Sequence, residues 1–155
     1  MVNYRAELLH EILGSIKTET VDGKEDEPPL IEPPFTVDYG CNIAVGSRFY
    51  ANFNFTVVDS GLVIFGDRVM CGPNVSILAA THETDIQSRR DNIEYAGPVT
   101  VGDDCWIAAN VVILPNVHIG KGCTIGAGSV VTKNIPDFSV ALGNPARVVR
   151  KVTPV

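Results

Sequence analysis

Residues 101–136, VGDDCWIAANVVILPNVHIGKGCTIGAGSVVTKNIP, divide into the hexads VGDDCW, IAANVV, ILPNVH, IGKGCT, IGAGSV and VTKNIP. Each hexad opens on an aliphatic residue and carries a small or aliphatic residue four places later. An internal repeat outranks local propensity in deciding a fold, because each unit can bury its apolar face only against its neighbours. A period of six fits neither an amphipathic helix nor a hairpin meander. It fits short strands joined by corners, each strand turning its first and fifth residues to one core. Three hexads then make one triangular turn, and positions eighteen apart stack. On the outside this pairs Val112 with Val130 and Trp106 with Thr124. A column of exposed valines points to a subunit contact or to a bed for the apolar arm of a ligand.

The same rhythm starts at Tyr39: YGCNIA, VGSRFY, ANFNFT, VVDSGLVI, FGDRVM, CGPNVS, ILAATH. The eight-residue member breaks the count. Residues 83–98, ETDIQSRRDNIEYAGP, are polar and charged, and read as a loop ejected from the coil before the rhythm resumes at 99–101. Upstream, NYRAELLHEILGSI (3–16) places Leu8, Leu9, Ile12, Leu13 and Ile16 at helical spacing, with Asn3 as cap and Gly14 as stop. Residues 17–34 are acidic and proline-rich, the composition of a linker. The expected division is therefore a helix and acidic linker over 1–36 and a coiled β domain over 37–155. A turn at Gly143 and Pro145 in the tail would cap the coil's open end.

A chain of 155 residues is enough for one domain with a core that stands without disulfides. Its net charge of −6 and pI of about 4.9 argue against nucleic acid as a partner, since phosphate binding needs a basic stripe. No segment has the apolar run of a signal peptide or a bilayer span, so a cytoplasmic protein without membrane attachment is expected. Cys41, Cys71, Cys105 and Cys123 lack C-x-x-C spacing and a matching set of histidines, so no metal is expected. Cys71, Cys105 and Cys123 fall at inward positions of the hexads and read as reduced packing residues.

The hexads, taken with DYGCNI (38–43), FYANFNFTVVD (49–59), GPNVSILAATH (72–82), GDDCWIA (102–108), IGAGSVVTKNIP and GNPARVVRKV, resemble the hexapeptide-repeat acetyltransferases of the maltose and galactoside type over roughly residues 36–152. The resemblance implies a left-handed parallel β-helix, a homotrimer with active sites between neighbouring subunits, and acetyl-CoA as donor. The handedness comes from the family, since the usual crossover preference is right-handed.

Moving an acetyl group from a thioester to a hydroxyl needs a base for the hydroxyl proton, a donor for the developing oxyanion and a grip on both reactants. The resemblance assigns the base to His82, which ends ILAATH where the coil gives way to the loop; imidazole is suited to taking and returning a proton near neutral pH. It places Asn52 facing the reacting centre, and Glu94 where a carboxylate would orient the His82 ring. Asp38, Tyr50 and Asn52 stand where relatives contact the acceptor sugar, with Asp59 nearby. For the donor it implies Trp106, Ala109, Ala127, Thr132 and Lys133 along a groove, and Arg147 and Arg150 at the phosphates. Galactoside-type members read VDD where this chain reads VDS with Ser60 last, so by the resemblance a sugar-binding carboxylate would be missing, and the N-terminal segment would be short relative to the family. The acceptor could then be a sugar hydroxyl or an amine or antibiotic. A noncatalytic scaffold would need neither His82 nor Asn52. A zinc enzyme on this coil would need three converging histidines, and His10 and His118 fall in the helix and on an outer face.

Overall fold

The computed structural model describes residues 2–16 and 27–154. The chain winds through three parallel sheets as a left-handed β-helix. The first sheet stacks Ser15–Ile16, Ile43–Val45, Val63–Phe65, Val99–Val101 and His118–Ile119. The second stacks Leu30–Ile31, Tyr50–Ala51, Met70–Cys71, Trp106–Ile107 and Thr124–Ile125, and ends in a hairpin of Ser139–Gly143 with Ala146–Lys151. The third stacks Phe35–Val37, Phe55–Val58, Ser76–Leu78, Val112–Ile113 and Val130–Val131. A first corner joins the first sheet to the second, a second corner joins the second to the third, and a third corner returns to the first.

Register follows the repeat in the C-terminal half, where Trp106 pairs with Thr124, Val112 with Val130 and Thr100 with His118. Earlier turns are longer: Ile43 pairs with Val63, Tyr50 with Met70 and Thr56 with Ser76. The first two corners stay tight throughout, so the surplus collects at the third corner, in residues 38–42 and 58–62, and the long arm after Leu78 leaves from the same corner. Parallel pairing has to resume in register after each insertion, so added residues bulge outward at a corner.

Inward positions are filled as the hexads require: Ile107, Val111, Ile113, Val117, Ile119, Cys123 and Ile125 are each at most 2% exposed. Toward the N-terminal end the filling becomes aromatic, with Phe35, Phe49, Phe55 and Phe65 at centroid separations of 4.9–6.0 Å. Both tight corners pass through the left-handed region at their third residue. At the first corner Arg48, Arg68, Asp104, Gly122 and Phe138 hold φ of 53–64°; at the second, Asn54, Asn74, Asn110 and Gly128 hold 59–73°. Asparagine and glycine tolerate that conformation best. The second corner also ties its turns side by side: the Asn54 amide donates to Asn74 Oδ1 at 2.9 Å, and the Asn74 amide to Asn110 Oδ1 at 3.1 Å.

Two segments differ from expectation. The helix is Val2–Ile12, ending with the Leu13 N–H on the Leu9 carbonyl ahead of the expected stop at Gly14, and Ile16, counted with the helical residues, instead lies in Ser15–Ile16, a strand of the first sheet. Gly14 permits this because a Cβ there would collide with the Cys41 carbonyl. Within the stretch that reads as linker, Leu30–Ile31 is a strand paired with Tyr50–Ala51, and Ile31 is buried. A two-residue strand bracketed by prolines presents too few positions for a period, and its partner rung supplies the pairing. Residues 17–26 of that linker lie outside the described residues. Leu9 and Leu13 join Ile31 in the core, so the helix closes the N-terminal end of the coil. At the other end the expected turn at Gly143, with φ of 104°, makes the hairpin that continues the second sheet from Thr124–Ile125. Cys71, Cys105 and Cys123 are buried, and burial pushes the Cys71 thiol up; Cys41 is exposed at the third corner. No helix among the described residues is long and apolar enough to cross a membrane.

Candidate active site

The polar stretch 83–98 is an arm at the third corner. Ala80–Thr81 pairs antiparallel with Tyr95–Ala96, and the Gly97 N–H closes the base on the Ala79 carbonyl at 3.0 Å. Its tip is the helix Ile86–Arg90, capped by Asp85, whose carboxylate accepts the Ser88 N–H at 2.8 Å. His82 follows directly on the outgoing strand and is exposed. Its Nδ1 lies 2.9 Å from the Ile93 carbonyl oxygen on the returning side. A carbonyl can only accept, so Nδ1 carries the proton and Nε2 is left as the basic nitrogen. This is the tautomer a general base needs. Glu94, expected to orient the ring, is exposed and makes no hydrogen bond or ion pair among the described residues. The group that meets the ring is the Ile93 backbone carbonyl, and a backbone group leaves no trace in residue identity.

Asn52 follows Tyr50–Ala51 at the second corner and is half-buried. Its N–H bonds the Cys71 carbonyl at 2.9 Å, and its Oδ1 accepts the Phe53 N–H at 2.8 Å. The side chain is thereby fixed with its amide NH2 left as a donor. The asparagine ladder runs through Asn54 and does not include it. Tyr50 is half-buried on the outer face of the second sheet, in register with Met70, which in turn neighbours Trp106. Asp38 is exposed in the turn 38–42. Asp59 departs from its expected part. It is fully buried, and its carboxylate accepts the N–H groups of Asp38, Tyr39 and Asn42 at 3.2, 2.9 and 3.2 Å, so it shapes the turn that presents Asp38.

Five of the seven residues expected to hold the donor, Ala109, Ala127, Thr132, Lys133 and Arg147, fall along one path. Ala109 and Ala127 stack at the second corner, where the Gly128 N–H bonds the Ala109 carbonyl at 2.9 Å. From there the outer face of the third sheet carries Val112 and Val130, half-buried and in register, to the exposed pair Thr132 and Lys133. Lys133 and Arg147 line one cavity of about 320 Å³ together with Asn134, Ile135, Ala146 and Val148. Arg150 does not line it; it pairs with Val140 further along the hairpin. Trp106 is 51% exposed on the second sheet, around the second corner from the valines. His82 and Asn52 stand at different corners of the same chain, on the arm of the third and at the second.

Residues 98–133 match the model of the family described as bacterial transferase hexapeptide (six repeats). The galactoside O-acetyltransferase of Escherichia coli is 46% identical over 126 residues, which cover 81% of this chain and 62% of that protein. Among solved structures, a galactoside acetyltransferase in complex with coenzyme A is 40% identical, with a TM-score of 0.87 over 98% of this chain and 72% of that one. A maltose O-acetyltransferase from Clostridium difficile 630 is 41% identical, with a TM-score of 0.89 over 98% of this chain and 76% of that one. With identities of 40–46% and a coil that superposes on these structures over 98% of its length, this chain belongs to the hexapeptide-repeat acetyltransferases of the galactoside and maltose type.

Proposed function

We propose that the protein transfers an acetyl group from acetyl-CoA directly to a hydroxyl of a sugar or glycoside, with His82 as general base. The observation that carries the reading is the bond between His82 Nδ1 and the Ile93 carbonyl, which leaves Nε2 free to accept the hydroxyl proton. The deprotonated oxygen then attacks the thioester carbonyl, and the proton held on Nε2 passes to the departing thiolate. The Asn52 amide, locked by its bond to the Phe53 N–H, is the candidate donor to the acceptor oxygen or the developing oxyanion. The scheme places no cysteine at the reacting oxygens, and no acyl-enzyme is part of it.

Donor binding follows the path from Ala109 and Ala127 across Val112 and Val130 to Lys133 and Arg147. An apolar floor ending in two cations suits a pantetheine arm ending in phosphates, and a net-negative chain needs those cations close to the ligand. Because His82 and Asn52 occupy different corners, one site is completed by a neighbouring copy, in a homotrimer. The test is acetyl-CoA consumption across methyl galactoside, maltose, amino sugars and amine antibiotics, with the product mass and its linkage determined. O-acetylation of a sugar supports the reading. Acetylation of amines alone replaces the acceptor class, and binding of CoA without turnover on any acceptor returns the protein to the scaffold class.

A further inference from the structure

The third corner is where the coil abandons its period, and three of its turns in succession carry surplus residues there. The ladder of the sheets does not organise these turns, yet two of them hold parts of the site: the turn 38–42 presents Asp38, and the arm carries His82. Between the two runs the stretch from Asp59 to Gly61, and it touches both. Asp59 Oδ1 accepts the N–H groups of Asp38 and Tyr39, Oδ2 accepts the N–H of Asn42, and the Asp59 carbonyl accepts the Asn42 amide at 2.8 Å. On the other side, a Cβ at Gly61 would lie 3.0 Å from the Ala79 carbonyl oxygen and 3.1 Å from the backbone of Gly97. That carbonyl is the one closing the base of the arm.

We infer that Asp59 is a positioning residue for the acceptor: its buried carboxylate fixes the turn carrying Asp38 against the base of the arm carrying His82. This rests on the proposed function, with His82 acting on the acceptor hydroxyl and Asp38 contacting the acceptor. The physical basis is a carboxylate with no exposure whose oxygens meet three N–H donors, which only an acceptor-only group satisfies fully. In Asp59→Asn one oxygen becomes an NH2 that faces donors, so at least one of the N–H groups loses its partner. A small displacement of a reactant-holding group costs rate out of proportion to the distance moved. Asp59 touches no reactant, so its effect should fall on the acceptor and leave the donor path, on the third sheet, alone.

The experiment compares wild-type protein with Asp59→Asn and with the milder Asn42→Ala, which removes only the side-chain bond to the Asp59 carbonyl. Two readouts are taken: hydrogen exchange of the peptide spanning 38–42, and separate Michaelis constants for acetyl-CoA and for methyl galactoside or maltose. Asp59→Asn should speed exchange in that peptide, leave the peptides of 101–131 unchanged, and raise the acceptor KM about ten-fold or more with the acetyl-CoA KM within about two-fold. Asn42→Ala should move both readouts the same way by less, and it carries the test if Asp59→Asn does not fold. Unchanged exchange at 38–42, or faster exchange with the acceptor KM unmoved, overturns the positioning role, as does an equal loss on both substrates. A wild-type protein that acetylates neither sugar overturns the sugar reading instead, and the exchange result alone then decides whether the carboxylate holds the turn.

Discussion

The general-base role proposed for His82 depends on a contact with the main chain, and the other candidate site residues divide by how they are placed relative to one another. Lys133 and Arg147 face one cavity, whereas Arg150 stands apart from it. A cation beside the 3′-phosphate distinguishes CoA from dephospho-CoA, because only one of them carries that charge. Arg147→Ala should therefore raise the KM of acetyl-CoA by about ten-fold and that of its dephospho form by much less, with Arg150→Ala showing the weaker contrast. Equal effects on both donors would remove the phosphate role. Side chains of this kind were legible in the amino-acid string through the motifs they occupy: His82 at the end of ILAATH, Lys133 after the GAG corner, Arg147 in GNPARVVRKV. What could not be read there is which groups orient them. Glu94 is the natural candidate by type and place, while the group within hydrogen-bond distance of the ring is the Ile93 carbonyl. Asp59 reads by its place as a ligand for the acceptor, whereas in the fold it is buried and its oxygens meet three N–H donors of the turn 38–42.

At the level of strands and corners, the hexads announce their own geometry, and Val112, Val130, Trp106 and Thr124 pair as the count of eighteen requires. The count failed at the third corner and at Ser15–Ile16 and Leu30–Ile31, where strands of two residues are recruited by rungs already formed. The aromatic filling of the N-terminal turns makes a prediction about stability. Phe55 is 1% exposed and contacts Phe35, Phe49 and Phe65, so Phe55→Ala should cost about 3–5 kcal/mol in urea unfolding. A cost below about 1 kcal/mol would mean that the rings are not packed as a unit. The first corner offers a pH test. Arg68 Nε and Nη2 meet Asp104 Oδ1 and Oδ2 at 2.6 and 2.8 Å, and this bond holds the Asp104 carboxyl below the usual carboxylate range. A carboxyl whose pKa is lowered by folding adds stability that is present above its unfolded pKa and is lost as pH falls through the folded one. Asp104→Asn, which keeps a residue suited to φ of 58°, should flatten the acid limb of stability below about pH 4, more clearly at low salt than at high. Both groups are partly exposed, so the effect is modest. An unchanged acid limb would show that the pair contributes nothing.

The whole molecule follows from a coil whose ends are closed by a helix and a hairpin while one corner is left irregular. Its regular part supplies a rigid frame and the path proposed for the donor. Its irregular corner gathers the turn 38–42, Asp59 and the arm, which is where the acceptor would sit. On the proposed reading, in which His82 and Asn52 act together from separate corners, a working site needs two copies, and sedimentation should give about three times the 16.6 kDa chain mass. The most direct test joins the catalytic and the assembly claims in one assay of acetyl transfer. His82→Ala and Asn52→Ala, each alone, should lower turnover by about 10²- to 10⁴-fold with CoA binding retained. Co-expressed in equal amounts, they should recover about a quarter of wild-type activity, since that share of sites in random trimers joins an intact His82 from one subunit to an intact Asn52 from the next. Near-normal turnover in His82→Ala alone, or no recovery in the mixture beyond its two parents, would contradict the account.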